Sequence, residues 1–164
     1  FPGSQASNPK VPSHVADYLS LLIDVEKRLI DSLEALGQSH SNVPDIGPEC
    51  KLFTEWCRES IELLEPFTRQ YGEIEQNEAK KLERVLDIGR EKGGFALVRD
   101  LHHLYLLVGE CAITQIGLIQ AAQALRDKEF HQALQRTQHY SERQQKWLLT
   151  RYKQAAPQAL IVPS

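Results

Sequence analysis

The sequence predicts an all-α protein: a bundle of four long helices in which a long connection joins the second helix to the third. Apolar residues recur at steps of three and four along most of the chain, which is the spacing of an amphipathic helix. Proline and glycine fall almost entirely between these stretches, and no alternating apolar run bounded by turn residues indicates a sheet. With 164 residues, of which 41% are hydrophobic, the chain can bury a core of its own. We expect a single helical-bundle domain over residues 13–164, after a disordered segment over residues 1–12.

The first helix is predicted to begin at Ser13, a suitable N-cap, and to end at Gly37. The second helix is expected over residues 48–71, because a proline suits its first turn and Gly72 suits its C-cap. Pro66 within this helix should bend it or shorten its regular part. The apolar stripe of the first helix is formed by Val15, Leu19, Leu22, Leu29, Leu33 and Leu36.

Residues 73–94 carry a weaker pattern, and we expect one short amphipathic helix in this connection between the second and third helices. The third helix should open after the Gly93–Gly94 pair. It contains the most apolar stretch of the chain, so it should be the central helix of the bundle. The apolar positions of the short helix are Leu82, Val85, Leu86 and Ile88.

A turn must separate the fourth helix from the third, because one helix from Phe95 to Ala156 would be about 90 Å long. We place this turn at residues 126–128, with Asp127 as the N-cap of the fourth helix. Pro157 should end that helix. The tail after it, ALIVPS, is too apolar to be left in water. We expect it either to fold back over the groove between the first and fourth helices or to join a contact between subunits.

The isoleucines of the third helix indicate a second contact surface. Ile113, Ile116 and Ile119 cannot share one inward stripe, because a spacing of three residues drifts by about 60° per step. Some of them must face a neighbour, which is either the short helix of the connection or a second subunit. We therefore expect a homodimer.

Four long helices with one long connection define the connectivity of ferritin-like bundles; the alternative is an up-down bundle in which the short helix packs as a fifth member. Four runs point the same way: EPFTRQYGE over residues 65–73, LVRDLHHLYLL over 97–107, AAQALRDKE over 121–129 and KWLLTRYKQAAPQALIVP over 146–163. In these runs the chain resembles a group of small bacterial proteins with ferritin-like helical bundles. The resemblance implies a fold, because the runs include no catalytic signature.

Ferritin-like di-metal proteins take one Glu from each of two helices and a Glu-x-x-His pair from each of the other two. This sequence contains no Glu-x-x-His. Glu26, however, lies on the apolar stripe of the first helix, where a carboxylate must be paired or bound to a metal. Carboxylates with one or two imidazoles suit iron or manganese. The candidate ligands are Glu26, Glu59, His103, Glu110, His139 and Glu142.

Each candidate ligand also has a structural interpretation. Glu26 and Glu110 can form ion pairs with arginines of other helices, and for Glu26 these are Arg58, Arg99 or Arg143. Glu59 is typical of a solvated helix face. His139 and Glu142, which are three residues apart, are typical of an exposed local pair. His103 is typical of a core histidine.

An intact bundle pattern beside an incomplete ligand set predicts a non-catalytic binding or assembly module with a protein partner. The alternative is a divergent carboxylate-bridged iron or manganese protein with oxidoreductase or metal-handling activity. No phosphate-binding loop, dinucleotide fingerprint or nucleophile elbow supports another enzyme class. A formal charge of −3 argues against a nucleic-acid partner, and no run of about 18 uninterrupted apolar residues predicts a membrane span. Three cysteines without a C-x-x-C pair indicate reduced thiols in the cytoplasm.

Overall fold

The computed structural model describes residues 14–72, 88–89 and 91–161, and within these residues the secondary structure is four α-helices and no strand. The helices are α1 (Val15–Ser39), α2 (Ile46–Tyr71), α3 (Gly94–Ala124) and α4 (Lys128–Ile161). The all-α prediction and the four long helices are confirmed. The predicted N-cap Ser13, the segment 1–12 and most of the predicted short helix in the connection lie outside the described residues.

The four helices form a ring in which α1 packs on α2, α2 on α4, α4 on α3, and α3 on α1. The pairs α1 with α4 and α2 with α3 lie on the diagonals. Short turns join α1 to α2 and α3 to α4, so each of these pairs is an antiparallel hairpin.

Contacts at both ends of the bundle show that α3 runs antiparallel to α1. His40, at the end of α1, bonds to Asp100 in the first turns of α3, with 2.9 Å between His40 Nε2 and the carboxylate oxygen. At the other end, the ring of Tyr18 near the start of α1 lies against Gly117 of α3. Both His40 and Asp100 are buried, so their bond anchors the turn between α1 and α2 to α3.

Helices α2 and α4 are antiparallel in the same way. Phe67 stacks on Phe130 at one end, with 4.8 Å between ring centroids, and Arg151 donates to Asp45 at the other end over 2.7 Å. The helices therefore run up, down, down and up in chain order. The connection after Gly72 starts at one end of the bundle and must reach the opposite end before α3 begins.

The core is built from the faces that the sequence predicts. The stripe of α1 is buried from Leu19 to Leu36, and each leucine that is removed from water contributes about 2 kcal/mol. Aromatic contacts join α2 to α4, since Phe53 meets Trp147 edge to face at 5.5 Å. These contacts fix the register of the two helices.

Two predicted helix signals are confirmed. Gly72 ends α2 with φ 104°, a backbone angle that favours glycine. Asp127 precedes α4 and accepts a hydrogen bond from the backbone N–H of Phe130 over 3.1 Å, as an N-cap does. Arg126 beside it has φ 56°, so the predicted turn between α3 and α4 is also confirmed.

Two predicted helix ends are wrong. Helix α1 continues through Gly37 to Ser39, because a glycine inside a helix costs only about 1 kcal/mol and the His40 N–H still bonds to the Leu36 carbonyl over 3.1 Å. Helix α4 continues through Pro157 to Ile161. Pro157 lies on an exposed last turn, where water satisfies the carbonyl that loses its N–H partner. Helix α2 likewise passes through its exposed Pro66.

The predicted return of the tail over a groove between the first and fourth helices is wrong. Helices α1 and α4 lie on a diagonal, so they form no groove for a returning tail. Leu160 and Ile161 belong to α4 and remain 62% and 79% exposed.

Gly89 fastens the end of the connection to the bundle. Its φ is 79°, and a Cβ at this position would lie 2.7 Å from that of Ala35. The Ser39 hydroxyl donates to the Gly89 carbonyl, and the Gly89 N–H donates to Asp100 over 3.3 Å. The connection is thus held against α1 and α3 by its backbone.

Candidate functional site

The centre of the bundle contains a buried carboxyl group. Glu26 of α1 is 2% exposed, and the thiols of Cys57 in α2 and Cys111 in α3 donate hydrogen bonds to it. Burial raises the pKa of Glu26 from 4.5 to about 7, and the two thiol bonds oppose this rise. The Glu26 carboxyl group therefore changes between its protonated and its ionised form near neutral pH.

The arginines that the sequence offers as partners for Glu26 are used elsewhere. Arg58 pairs with Glu34 over 3.0 Å, and Arg99 pairs with Glu91 over 3.3 Å. Arg143 lies over the ring of Trp56, 5.2 Å from its centroid. Among the described residues, no ion pair includes Glu26, so the predicted Glu26–Arg pair is not formed.

The three cysteines are free thiols, as the sequence predicts. Burial raises the pKa of Cys57 and of Cys111 well above its usual value, and the nearby charge of Glu26 adds to this effect. The pKa of Cys50 is raised to about 12, again by burial first. No Cα of α2 lies within 8 Å of a Cα of α3, which is beyond the roughly 7 Å limit for a disulfide. Their raised pKa values keep the three thiols protonated at neutral pH, so they supply no thiolate nucleophile.

Glu26, Cys57 and Cys111 form a buried polar layer, and two glutamines extend this layer across the bundle. Gln144 of α4 donates to the Phe53 carbonyl over 3.3 Å and to the Cys57 sulfur over 3.4 Å. Gln115 of α3 donates to the Ser141 hydroxyl over 2.9 Å. Sequence reasoning missed all three polar residues, although each interrupts an inward-facing helical stripe. One side-chain oxygen of Glu26 and the amide oxygen of Gln115 are buried without a hydrogen-bond partner.

Three other predicted ligands lie outside the core, one on α2 and two on α4. Glu59 accepts hydrogen bonds from Arg136, over 3.1 Å, and from the Tyr140 hydroxyl. His139 and Glu142 are exposed on α4. Glu59 thus has local partners, and His139 and Glu142 face solvent.

The remaining two predicted ligands belong to α3. His103 and Glu110 are both half-buried, and Nδ1 of His103 has no hydrogen-bond partner. Across the described part of the chain, no hydrogen bond or ion pair joins any two of the six predicted ligands. No group of three or more His, Cys, Asp or Glu side chains within this part is arranged to hold a metal ion. The six residues are therefore not brought together into one site.

The outer side of α3 is a second candidate site. Leu106, Ile113 and Ile116 project from it and are 45%, 64% and 47% exposed. Between residues 101 and 125 the only formally charged side chain is Glu110. We call the surface formed by Leu106, Ile113, Ile116 and the adjoining Tyr18 of α1 the α3 face.

An apolar cleft borders the α3 face on the side of α4. Its volume is about 230 Å³. The ring of His102 meets that of Tyr152 across it, with centroids 6.1 Å apart. The other lining residues are Tyr105, Leu106 and Leu149.

A wider groove of about 410 Å³ lies between α1 and α2. Its lining includes both partners of the Arg58–Glu34 pair, together with Cys50. Because the Cys50 thiol stays protonated at neutral pH, this groove offers no activated nucleophile.

Helix α3 is the one described helix whose length and composition would allow it to cross a membrane, and 44% of its most apolar window is buried in the bundle. Core helices of soluble bundles meet the same criterion. Comparisons of the chain with protein-family models, with characterised proteins and with solved structures give no match. The resemblance to ferritin-like bundle proteins stays a prediction.

Proposed function

We propose that this chain is a ferritin-like four-helix bundle that acts in the cytoplasm as a non-catalytic assembly module and forms a homodimer through the α3 face. The observation that carries the proposal is the exposure of Ile113, at 64%, on a helix side that has almost no charge. Soluble monomers rarely expose contiguous apolar surface without a use for it.

The connectivity supports the ferritin-like part of the proposal. Helices that run up, down, down and up need one long connection along the bundle, and this is the arrangement of ferritin-like folds. In an up-down bundle with short loops, consecutive helices would all be neighbours. Here α2 and α3 lie on a diagonal instead.

The charge pattern favours a second copy as the partner. The α3 face presents no basic residue to an anionic membrane or a nucleic acid, and the whole chain carries a formal charge of −3. An identical face meets it without burying a row of unpaired charges. Each isoleucine that becomes buried in such a contact contributes about 1 kcal/mol at ~25 cal/mol per Å².

Light scattering over a micromolar concentration series tests this proposal. We expect the mass of two chains, and we expect Ile113→Glu to give the mass of one chain at every concentration, because two carboxylates would be buried in the contact. The matched control is Leu52→Glu, at a 39% exposed position on α2, which should remain dimeric. A wild-type mass of one chain at every concentration overturns the proposal. If that monomer also binds neutral lipid vesicles, the α3 face contacts a membrane and not a second copy.

The second candidate is the carboxylate-bridged iron or manganese protein. One observation favours it: a Glu26 oxygen is buried without a partner. The rest of the site does not fit, because no group of three or more His, Cys, Asp or Glu side chains among the described residues is placed to hold a metal ion. Elemental analysis of the purified protein distinguishes the two candidates, since near-stoichiometric metal that is lost in Glu26→Ala would establish the second.

A further inference from the structure

We propose that the centre of this bundle has the ligand positions of a ferritin-like di-metal site and fills them with hydrogen-bonding side chains that do not hold a metal. This inference rests on the ferritin-like part of the proposed function and does not depend on the α3 face. It identifies the positions to which the ligands would have to belong. Of the six ligands predicted from the sequence, only Glu26 occupies one of them.

Six buried side chains, which we call the central positions, follow the helix pattern of such a site. The pattern requires one ligand from each of two helices and a pair at i, i+3 from each of the other two. Helices α1 and α3 each supply one central position, and α2 and α4 each supply a pair at i, i+3. Each of the six side chains is at most 2% exposed. The central positions are Glu26 on α1, Cys57 and Ser60 on α2, Cys111 on α3, and Ser141 and Gln144 on α4.

Hydrogen bonds show that the central positions lie at one level of the bundle. The thiols of Cys57 and Cys111 donate to Glu26, and these bonds join α1, α2 and α3. Gln144 of α4 donates to the Cys57 sulfur over 3.4 Å. The two serines are each three residues, or about 4.5 Å along the helix axis, from Cys57 and Gln144.

Three other buried hydroxyl groups do not belong to this network. Thr54, Thr114 and Thr137 are buried, but each donates to a backbone carbonyl of its own helix three or four residues earlier. A bond of this kind satisfies a hydroxyl within its helix, so these threonines need no partner across the core.

The donors at the central positions do not fit a pair of metal ions. Two divalent ions bring four positive charges, which the four glutamates of the pattern balance. The central positions hold one carboxyl group. Serine and glutamine are neutral, and burial raises the pKa of Cys57 and of Cys111 well above the usual value. Because a buried charge without a partner is costly, the uncompensated positive charge disfavours the metal.

The direction of the hydrogen bonds also opposes metal binding. A metal ion in a protein needs about four or more lone pairs that point at it. At the centre of this bundle the hydrogens of two thiols point at the Glu26 carboxyl group instead. One Glu26 oxygen has no hydrogen-bond partner, and a single oxygen does not hold a metal ion.

Restoration of the ligands tests whether the central positions have the geometry of a metal site. We expect a complete ligand variant to bind two Co(II) ions per chain, as measured by elemental analysis after buffer exchange and by the visible absorption of bound Co(II). We expect the wild type, treated in the same way, to retain none. The complete variant keeps Glu26 and carries Cys57→Glu, Ser60→His, Cys111→Glu, Ser141→Glu and Gln144→His.

A reduced variant keeps the test decisive if the complete variant does not fold. Cys111→Glu and Gln144→His, together with Glu26, supply two carboxylates and one imidazole, which suit one Co(II) ion. The matched control is Thr114→Glu with Thr54→His, which introduces the same groups at buried positions outside the network. We expect one Co(II) ion in the reduced variant and none in the control. Circular dichroism with and without Co(II) reports the folding of every variant.

Co(II) binding by the ligand variants, with none in the wild type and the control, supports the inference. Either ligand variant that folds but retains no more Co(II) than the control overturns it. So does a reduced variant that stays unfolded with Co(II), because a metal that binds the folded site stabilises it. Wild-type protein that retains stoichiometric Co(II), lost in Glu26→Ala, shows that the ligands were not replaced.

Failure of this inference and failure of the proposed assembly are distinguishable. Light scattering reports the dimer and elemental analysis reports the metal. A wild-type monomer therefore overturns the assembly through the α3 face and leaves the inference about the central positions intact. Ligand variants that bind no Co(II) have the opposite effect.

Discussion

Replacement of Glu26 by Gln should remove a pH-dependent weakness from the core. The carboxyl has a pKa of about 7 in the folded protein and an ordinary value of 4.5. Between these values the folded protein holds a proton that the unfolded chain has released. The free energy of unfolding therefore falls as pH rises from about 4.5 through about 7, and then levels off.

The size of this effect follows from the displacement of the pKa. Burial raises the pKa of Glu26 by about 2.5, from 4.5 to about 7. Because a pKa change of one corresponds to 1.36 kcal/mol, this rise amounts to about 3 kcal/mol. Glutamine has nearly the same shape and carries no charge. The free energy of unfolding of Glu26→Gln should thus be close to that of the wild type near pH 5 and higher by up to about 3 kcal/mol near pH 8. Amide protons that find only sulfur acceptors reduce this gain.

The assay is urea unfolding of both proteins at several pH values between 5 and 8, followed by circular dichroism. The difference between wild type and variant isolates Glu26, because every other titratable side chain is the same in both proteins. Glu59→Gln is the matched control for the exchange of a carboxyl group for an amide, since Glu59 is partly exposed. A Glu26→Gln difference that stays constant from pH 5 to 8 would refute the reasoning, because it would mean that the folded protein ionises Glu26 as easily as the unfolded chain does.

Two further predictions concern the connection and the thiols. Gly89→Ala should lower the free energy of unfolding by about 1–3 kcal/mol, because the φ of 79° and a Cβ only 2.7 Å from that of Ala35 disfavour a side chain. Thermal unfolding measures this loss, and Gly47→Ala is the control because a Cβ there would have nothing within 4 Å. Equal losses in the two variants would contradict the role assigned to Gly89. A thiol reagent at pH 8 should leave the buried Cys57 and Cys111 unmodified in the native protein and modify both in denaturant, and rapid labelling of either one in the native protein would show that the buried layer around Glu26 is open to water.

The helices could be predicted from the sequence because their apolar periodicity is long and regular. The errors fall where one residue type has two uses. Gly37 fits the pattern of a helix stop but lies inside α1, and Pro157 fits the pattern of a break but is tolerated in an exposed last turn. Sequence spacing alone does not distinguish these uses, because the neighbouring helix or the solvent decides between them.

The candidate site was predicted in part. Glu26 was identified because a carboxylate on a leucine stripe conflicts with the pattern around it. Its thiol neighbours come from two other helices, and the spacing within each helix does not say which residues meet across the core. For the same reason the sequence could not show that Glu59 bonds to neighbouring side chains and is not grouped with the other predicted ligands, since its partners Arg136 and Tyr140 belong to α4.

The order of the helices has a consequence for how the chain folds. Each hairpin, α1 with α2 and α3 with α4, closes a turn of a few residues and should assemble quickly. The contacts between hairpins join residues as distant as Asp45 and Arg151, so they form only after both hairpins exist and the loop between them has closed. Docking of two preformed halves, and not the formation of any single helix, should limit the folding rate.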